Sequence, residues 1–427
     1  MAKRHSNEIG NLESIFLRLE ELILANSGED EFEEVFKLVI AKIFDERSHE
    51  EKRFAIQEST TETSRVINLL LREANAVWPG ILIETQSNLT PEHLAVCVDA
   101  LTRHTISNDH MDILDAFFEF MVSKDSKGAK GQFFTPRHVI ELCVKMMSPK
   151  QHEIIMDPAC GSGGFLVHTL NHVCKNSRCG YSQHVKKFCD SNLWGFDIDG
   201  RAIRIAKTLM ILASGHESNF IRLNSLLHPT SVNMFWDAKE ESILTIEDIC
   251  RGQMRNFKGF DVILTNPPFA GDVREKQLLR DYAIASGKTH LERDAIFVER
   301  CIQLLKPGGR MAIVLPNNKF ATTSFGFLRT WIMKKARVLA VVSLGRNTFL
   351  PHTHQKASIL FLQKHASVPE NNYRIFFSVS ERDGKNSKGQ LLFRNSERFN
   401  YWENVEHDFS EIVSNFELFL EKEALEI

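Results

Sequence analysis

Apolar residues recur at helical spacing from the start of the chain. Ile9, Leu12, Ile15, Phe16, Leu19, Leu22 and Ile23 fall three or four apart, and Phe32, Val35, Phe36, Val39, Ile40 and Ile43 repeat the pattern. A polar turn, Asn26-Ser27-Gly28-Glu29-Asp30, lies between the two runs. A third helix is expected from about Thr61 to Val77, ended by Pro79-Gly80. A fourth begins with Thr90 as N-cap and Pro91 in its first turn, with Leu94, Cys97, Val98 and Leu101 turned inward. A fifth spans about Asp109 to Val122. Residues 1–125 therefore read as an all-helical domain for docking or structural support. No catalytic constellation stands in it.

The period changes after a lysine- and glycine-containing linker at residues 126–132. Gln132-Phe133-Phe134-Thr135-Pro136-Arg137 opens a helix with Val139, Ile140, Leu142, Cys143 and Met146 on its apolar face. Short β-branched or apolar runs then alternate with helical ones. Strands are expected at residues 153–156, 193–197, 220–223, 260–265, 310–315, 338–344 and 357–362. The connection before Ala357 is too short for a crossover helix, so that strand should run antiparallel. The predicted fold is α/β, a Rossmann-like seven-stranded, mostly parallel sheet over residues 133–365 behind the helical domain. Residues 366–427 form a C-terminal extension. It contains a further strand-like run, Arg374–Val379, and a last helix near Asp408–Glu421 with Phe409, Ile412, Val413, Phe416 and Phe419 as its stripe.

The chemistry sits where these strands end, as ligand sites do in open α/β sheets. Asp157-Pro158-Ala159-Cys160-Gly161-Ser162-Gly163-Gly164 follows the first strand and leads into a helix. Its glycines let the backbone turn and approach a ligand. No Gly-Lys-Ser/Thr follows, so it is not a phosphate loop, and the acid ahead of the glycines departs from the dinucleotide pattern. A carboxylate there suits a cationic cofactor, and S-adenosylmethionine, with its ammonium and sulfonium, fits. Asp197 closes the second strand and is placed for ribose hydroxyls, leaving Asp199 to cap the next helix. Asn224 either meets the cofactor's adenine edge or is a turn residue. The fourth strand, Phe260–Thr265, ends in Asn266-Pro267-Pro268-Phe269. Proline stops a strand. Asn266 would offer its side-chain carbonyl, Pro267 its backbone carbonyl and Phe269 an apolar face: two acceptors and a ring, suited to a planar substrate with an amino group. The polar stretch 270–293 would close over such a substrate or lie as a surface loop.

Composition narrows the setting. The chain has 427 residues, 43% hydrophobic and 25% charged, as in an ordinary globular protein of two or three domains. No apolar stretch approaches a transmembrane length, and the N-terminus lacks the apolar core of a secretory signal. Eight scattered cysteines point to reduced thiols and a cytoplasmic location. Cys174, Cys179, His184 and Cys189 are evenly spaced but lack a close Cys pair, so no metal site is expected. A net charge of −3 means that any attraction for nucleic acid comes from a local patch or another subunit.

FFTP at 133–136, DPACGSGGFL at 157–166, the strand-end Asp197, NPPF at 266–269, LKPGG and IVLP together resemble the DNA adenine-N6 methyltransferases. The likeness is to the modification subunit of type I restriction-modification systems, from the helical N-terminal part to about residue 421. NPPF alone is shared by enzymes acting on RNA guanine or protein glutamine; FFTP upstream of the glycine loop narrows it. The resemblance implies a class I S-adenosylmethionine-dependent methyltransferase. Its cofactor is held by Phe134, Thr135, Pro136, Asp157, Ala159, Gly161, Ser162, Gly163 and Asp197, with Asn224 departing from the aspartate often found there. It implies Asn266, Pro267, Pro268 and Phe269 as the catalytic motif, acting on a flipped adenine in double-stranded DNA. The helical domain would contact DNA or dock subunits. The stretch after Leu362 is too short for a recognition domain of ordinary size. A separate specificity subunit is therefore implied, with a restriction subunit as a further partner. The alternatives are an amino-methyltransferase acting on RNA or protein glutamine, and a catalytically silent scaffold.

Overall fold

The computed structural model describes residues 18–19, 21–23, 29–48, 51–104, 106, 135–176, 183–216, 218–229, 244–254, 256–367, 372–394 and 404–427. Phe134, the linker at 126–132, the expected fifth helix and Cys179 lie outside the described residues. Three N-terminal helices are seen: α1 (Glu31–Ser48), α2 (Thr60–Val77) and α3 (Pro91–Thr102). Ser59 caps α2 by accepting from Glu62 N, and Thr90 caps α3 by accepting from His93 N.

The rest is organised around one sheet of eight strands in the order β10-β8-β9-β7-β4-β1-β2-β3. These are β1 (Ile155–Asp157), β2 (Leu193–Asp197), β3 (Asn219–Arg222), β4 (Phe260–Thr265), β7 (Leu305–Pro316), β8 (Ala336–Ser343), β9 (Ala357–Lys364) and β10 (Phe376–Val379). β5 (Asp272–Val273) and β6 (Leu291–Glu292) make a separate antiparallel pair. Neighbours in the large sheet are parallel except β9, which runs antiparallel to both β7 and β8. The eighth strand is the Arg374–Val379 run of the C-terminal extension, which adds to the sheet edge parallel to β8. Its side chains alternate between half-buried and exposed, with Phe377 and Val379 outward. Composition marks such a strand but does not say which sheet it joins.

Helices α4 (Arg137–Met147), α5 (Gly164–Asn176), α6 (Gln183–Asn192), α7 (Gly200–Ser214), α8 (Ile246–Gln253), α9 (Arg293–Leu304) and α10 (Gly326–Lys335) accompany the sheet, and α11 (Phe409–Lys422) ends the chain. The buried apolar residues form two clusters. One joins α4, α5, α7 and α11 with the N-terminal helices. The other is formed around α9, α10 and the residues 273–291. The N-terminal helices therefore share a core with the sheet domain. At their contact Arg201 and Arg204 of α7 pair with Asp30 and Glu33 and lie over the rings of Phe32 and Phe36. No helix among the described residues is long and apolar enough to cross a membrane.

The amino ends of the strands are tied by a buried ion pair. Arg310 of β7 makes a two-pronged contact with Glu153 at 2.6 and 2.8 Å and donates to the carbonyls of Met147 and Ser148. Burial alone would raise the Glu153 carboxyl, but Arg310 outweighs it and holds it low. The opposite, carboxyl ends carry the motif residues. Chain order reverses between β1 and β4, with β2 and β3 on one side and β4 and β7 on the other. That switch point is where α/β sheets open a ligand crevice.

Candidate active site

β1 and β4 are hydrogen-bonded neighbours, with Met156 opposite Ile263. Parallel strands lie about 4.8 Å apart. Asp157 therefore leaves β1 beside Thr265, and Asn266 begins the turn just beyond. Asp157 is 1% exposed, and its Oδ1 accepts from Ala159 N at 3.0 Å. Burial pushes its carboxyl up to about 7; the Thr265 hydroxyl and the Ala159 N–H hold it back, and Asp197 adds to the rise.

Asp197 ends β2. Its Oδ2 accepts from Gly161 N and its Oδ1 from Asp199 N, both at 2.9 Å. Burial raises this carboxyl too, against those N–H donors. The glycine loop is thus braced by the second strand, and Cys160 N donates to Phe196 O as well. Gly161 has φ +52°, and a Cβ built there meets nothing within 4 Å, so the loop faces open space at that point. Gly163, at φ +84°, has the opposite reason for being glycine: a Cβ would press on Ala206 and Phe220. Asp199 caps α7 by accepting from Arg201 N and Ala202 N.

A third loop joins these two. Ser225, after β3, donates from its hydroxyl to Pro158 O at 2.5 Å. Fully buried Arg300 donates to the carbonyls of Ser225 and Leu227 and pairs with Glu247. Asn224 Oδ1 accepts from Leu226 N at 3.1 Å, so its oxygen closes a local turn and only its amide NH2 is left for another partner. Ile198, directly after Asp197, is 59% exposed. It is an apolar side chain in the open beside two buried acids, a feature the sequence reading passed over although its position after the strand-end acid marks it.

Thr135 was expected to start α4. The helix instead begins at Arg137 with Pro136 at its cap position and no side-chain cap. The Thr135 hydroxyl accepts from Asn266 Nδ2 at 2.9 Å, across 131 positions of sequence. Pro267 is buried and Pro268 half-buried. Phe269 is only 6% exposed and meets Phe349 edge-on, with ring centroids 5.9 Å apart at 68°. Its ring is therefore one half of an aromatic pair, not an open platform. Phe349 carried no signal in the sequence.

The stretch 270–293 is no surface loop. The β5–β6 pair closes it, Tyr282 is buried and donates its hydroxyl to Leu226 O at 2.7 Å, and Glu299 accepts from Ala283 N and Ile284 N. Lys319, just past β7, is buried between Glu292 and Asp294 and fastens this insert to the β7 turn. Among the described residues no group of three or more His, Cys, Asp or Glu is arranged to hold a metal.

The residues present fit S-adenosylmethionine: open space over Gly161, a buried acid at the glycine loop, a second at the next strand end, and an exposed apolar side chain beside it. Comparison with known proteins bears on the family. The chain is 27% identical over 310 residues to the EcoEI methylase subunit of a type I restriction enzyme from Escherichia coli, covering 70% of this chain and 56% of that protein. It is 26% identical over 266 residues to the StySPI methylase subunit from Salmonella potsdam, covering 60% and 46%. It thus spans about half the length of these curated relatives. The methyltransferase subunit of a type I restriction-modification system from Streptococcus thermophilus superposes with a TM-score of 0.60 at 16% identity, over 98% of this chain and 93% of that one, a likeness of fold. A profile described as N-6 DNA Methylase matches residues 109–421, and with that match the chain belongs to the N-6 DNA methylase family.

Proposed function

We propose that this protein transfers a methyl group to the N6 amine of an adenine flipped out of double-stranded DNA, as the modification component of a restriction-modification system. The observation that carries the reading is the placing of Asn266-Pro267 at the end of β4, next to the Asp157 glycine loop at the end of β1. S-adenosylmethionine supplies the methyl group when bound. The adenine amine is a poor nucleophile because its lone pair is delocalised into the ring. Asn266 Oδ1 and the Pro267 carbonyl would accept the two N–H bonds and turn the lone pair towards the donor. That is orientation and preorganised electrostatics, with no covalent intermediate on the enzyme. The buried thiols among the described residues are poor nucleophiles, because burial raises each of them, Cys250 up to about 12.

In this reading Asp157, Ala159, Gly161, Ser162 and Gly163 hold the amino-acid part of the cofactor, and Asp197 its ribose. Ile198 would offer its exposed side chain to the ring, and Asn224 its amide NH2 to the ring edge. Pro136 would add to the wall, while the Thr135 hydroxyl is turned to Asn266 Nδ2. The base would enter beside Phe269; stacking on its ring, worth roughly 1–3 kcal/mol and comparable to the cost of unstacking, requires the Phe269–Phe349 pair to open.

Membership of a DNA methylase family supports DNA over RNA or protein glutamine as acceptor. The near-neutral charge supports a separate specificity subunit that supplies sequence reading, as does the similarity to type I methylase subunits, with a restriction subunit as a further partner. The N-terminal helices would contact DNA or dock those partners. The described cysteines are free thiols, which supports a cytoplasmic setting. Mapping N6-methyladenine in a host that carries this gene with its genomic neighbours, against a deletion strain, tests the proposal. Site-specific marks present only in the first strain are expected; identical maps would contradict it.

A further inference from the structure

We infer that Thr135 is a positioning residue for the Asn266 carboxamide. The inference rests on the reading of Asn266 as the acceptor for the substrate amine, and deepens it. A threonine ahead of a proline at a helix start normally caps that helix. Here Pro136 takes the cap position without a side-chain bond, and the Thr135 hydroxyl turns to Asn266 Nδ2 instead. The two residues lie 131 positions apart in the sequence and meet above the switch point between β1 and β4.

The chemistry needs such a contact. A carboxamide is nearly symmetric in shape, with a donor at one end and an acceptor at the other. An amine substrate is served only by the oxygen; the NH2 end would set donor against donor. Asn266 sits on a turn past the last strand residue, where no ladder bond fixes its side chain. Donation from Nδ2 to Thr135 fixes which end of the carboxamide is which, with Oδ1 as the end that would receive the substrate N–H. The anchor is itself rigid. Pro136 confines the preceding Thr135 to extended backbone, and α4 behind it is held by His138, buried in a stack with His407 and Phe409 at centroid separations of 5.7 and 5.4 Å.

The test uses the chain as isolated from its host together with any co-purifying subunit. Single-turnover methyl transfer to its target DNA and the equilibrium dissociation constant for S-adenosylmethionine are measured for wild type, Thr135→Val, Thr135→Ser, Asn266→Ala and the Thr135→Val/Asn266→Ala double variant. Valine keeps the shape and removes the acceptor. The expected result is a loss of about 10- to 100-fold in transfer rate at saturating cofactor, cofactor affinity within about twofold of wild type, and recovery in Thr135→Ser. The double variant should be no slower than Asn266→Ala, because the two changes remove one device. An unchanged rate in Thr135→Val overturns the inference. So does a loss confined to cofactor affinity, which makes Thr135 a cofactor ligand, and so does a serine variant as slow as valine. A wild-type complex that transfers nothing to DNA overturns the functional reading itself, and the inference with it.

Discussion

In the proposed function two side chains carry opposite demands at the residue scale. Asn266 must present an acceptor to an amine, and removing a preorganised group of this kind costs about 10²- to 10³-fold in turnover. Asn266→Ala is therefore expected to lose transfer by that order while binding S-adenosylmethionine normally, as calorimetry on the variant would show. Asp157 must be charged to attract a cation, yet burial raises its carboxyl to about 7. Below that value the protonated form predominates and cannot pair with an ammonium. Cofactor affinity should accordingly fall as pH drops from about 8 to 6, steepening towards tenfold per unit, and rise again with pH. Asp197, Thr265 and the Ala159 N–H face the same carboxylate, so Asp157→Asn should flatten the profile. A profile equally steep in that variant would assign the titration elsewhere.

Whole segments set the geometry that those residues use. The C-terminal extension grips the loop that carries Phe349: the Asp383 carboxylate accepts from Asn347 N at 2.8 Å, and Lys385 Nζ donates to Leu350 O at 2.7 Å. Gly389, at φ +81°, lies so close to Leu350 and Pro351 that a Cβ would strike their backbone. Asp383→Ala frees one end of this loop. It should raise the KM for DNA several-fold through the Phe349–Phe269 pair and leave the KM for cofactor unchanged, as steady-state titration of each substrate would show.

The joint between α4 and the extension is pH-sensitive. Burial lowers His138 to about 3, against an ordinary value near 6.5, and its neighbours His407 and Lys385 lower it further. The folded state keeps this imidazole neutral while the unfolded chain takes up a proton below about 6.5. Stability should thus fall as pH drops from about 6.5 towards 3, by up to about 1.4 kcal/mol per unit from this group. Urea unfolding of wild type and His138→Phe at pH 7 and pH 5 should show a smaller acid loss in the variant.

The strand-end acids, the glycine loop and the NPPF turn could be read from the sequence because each is punctuated locally, by an apolar run that stops at a polar or proline residue. Asp199 as a helix cap and the reversed β9 followed from equally local rules. Contacts between distant segments were not readable: Thr135 with Asn266, Phe269 with Phe349, and Tyr282 with Leu226. The stretch 270–293 looked like a loop because its few apolar residues, Leu279, Tyr282 and Ile284, have no period, although each is buried against a partner far along the chain. β10 was visible as a strand but not as a member of the main sheet, since edge strands carry no mark of their neighbour.

At the scale of the whole molecule, the two ends of the sheet divide the labour. Amino ends are locked by Arg310–Glu153 and serve stability; carboxyl ends hold Asp157, Asp197 and Asn266 around one crevice. The N-terminal helices share a core with α7, the helix that Asp199 caps, so the cofactor side of the crevice and the helical domain are mechanically continuous. With a net charge of −3, the proposed function gives this chain the methyl-transfer site and leaves sequence reading to a partner subunit. The most direct test supplies the complex, isolated from the host with any co-purifying subunit, with methyl-labelled S-adenosylmethionine and host DNA, then digests the DNA to nucleosides. The account predicts label in N6-methyldeoxyadenosine, abolished in the complex carrying Asn266→Ala. Label in another nucleoside, label only in co-purifying RNA or protein, or undiminished label in the Asn266→Ala complex would contradict it.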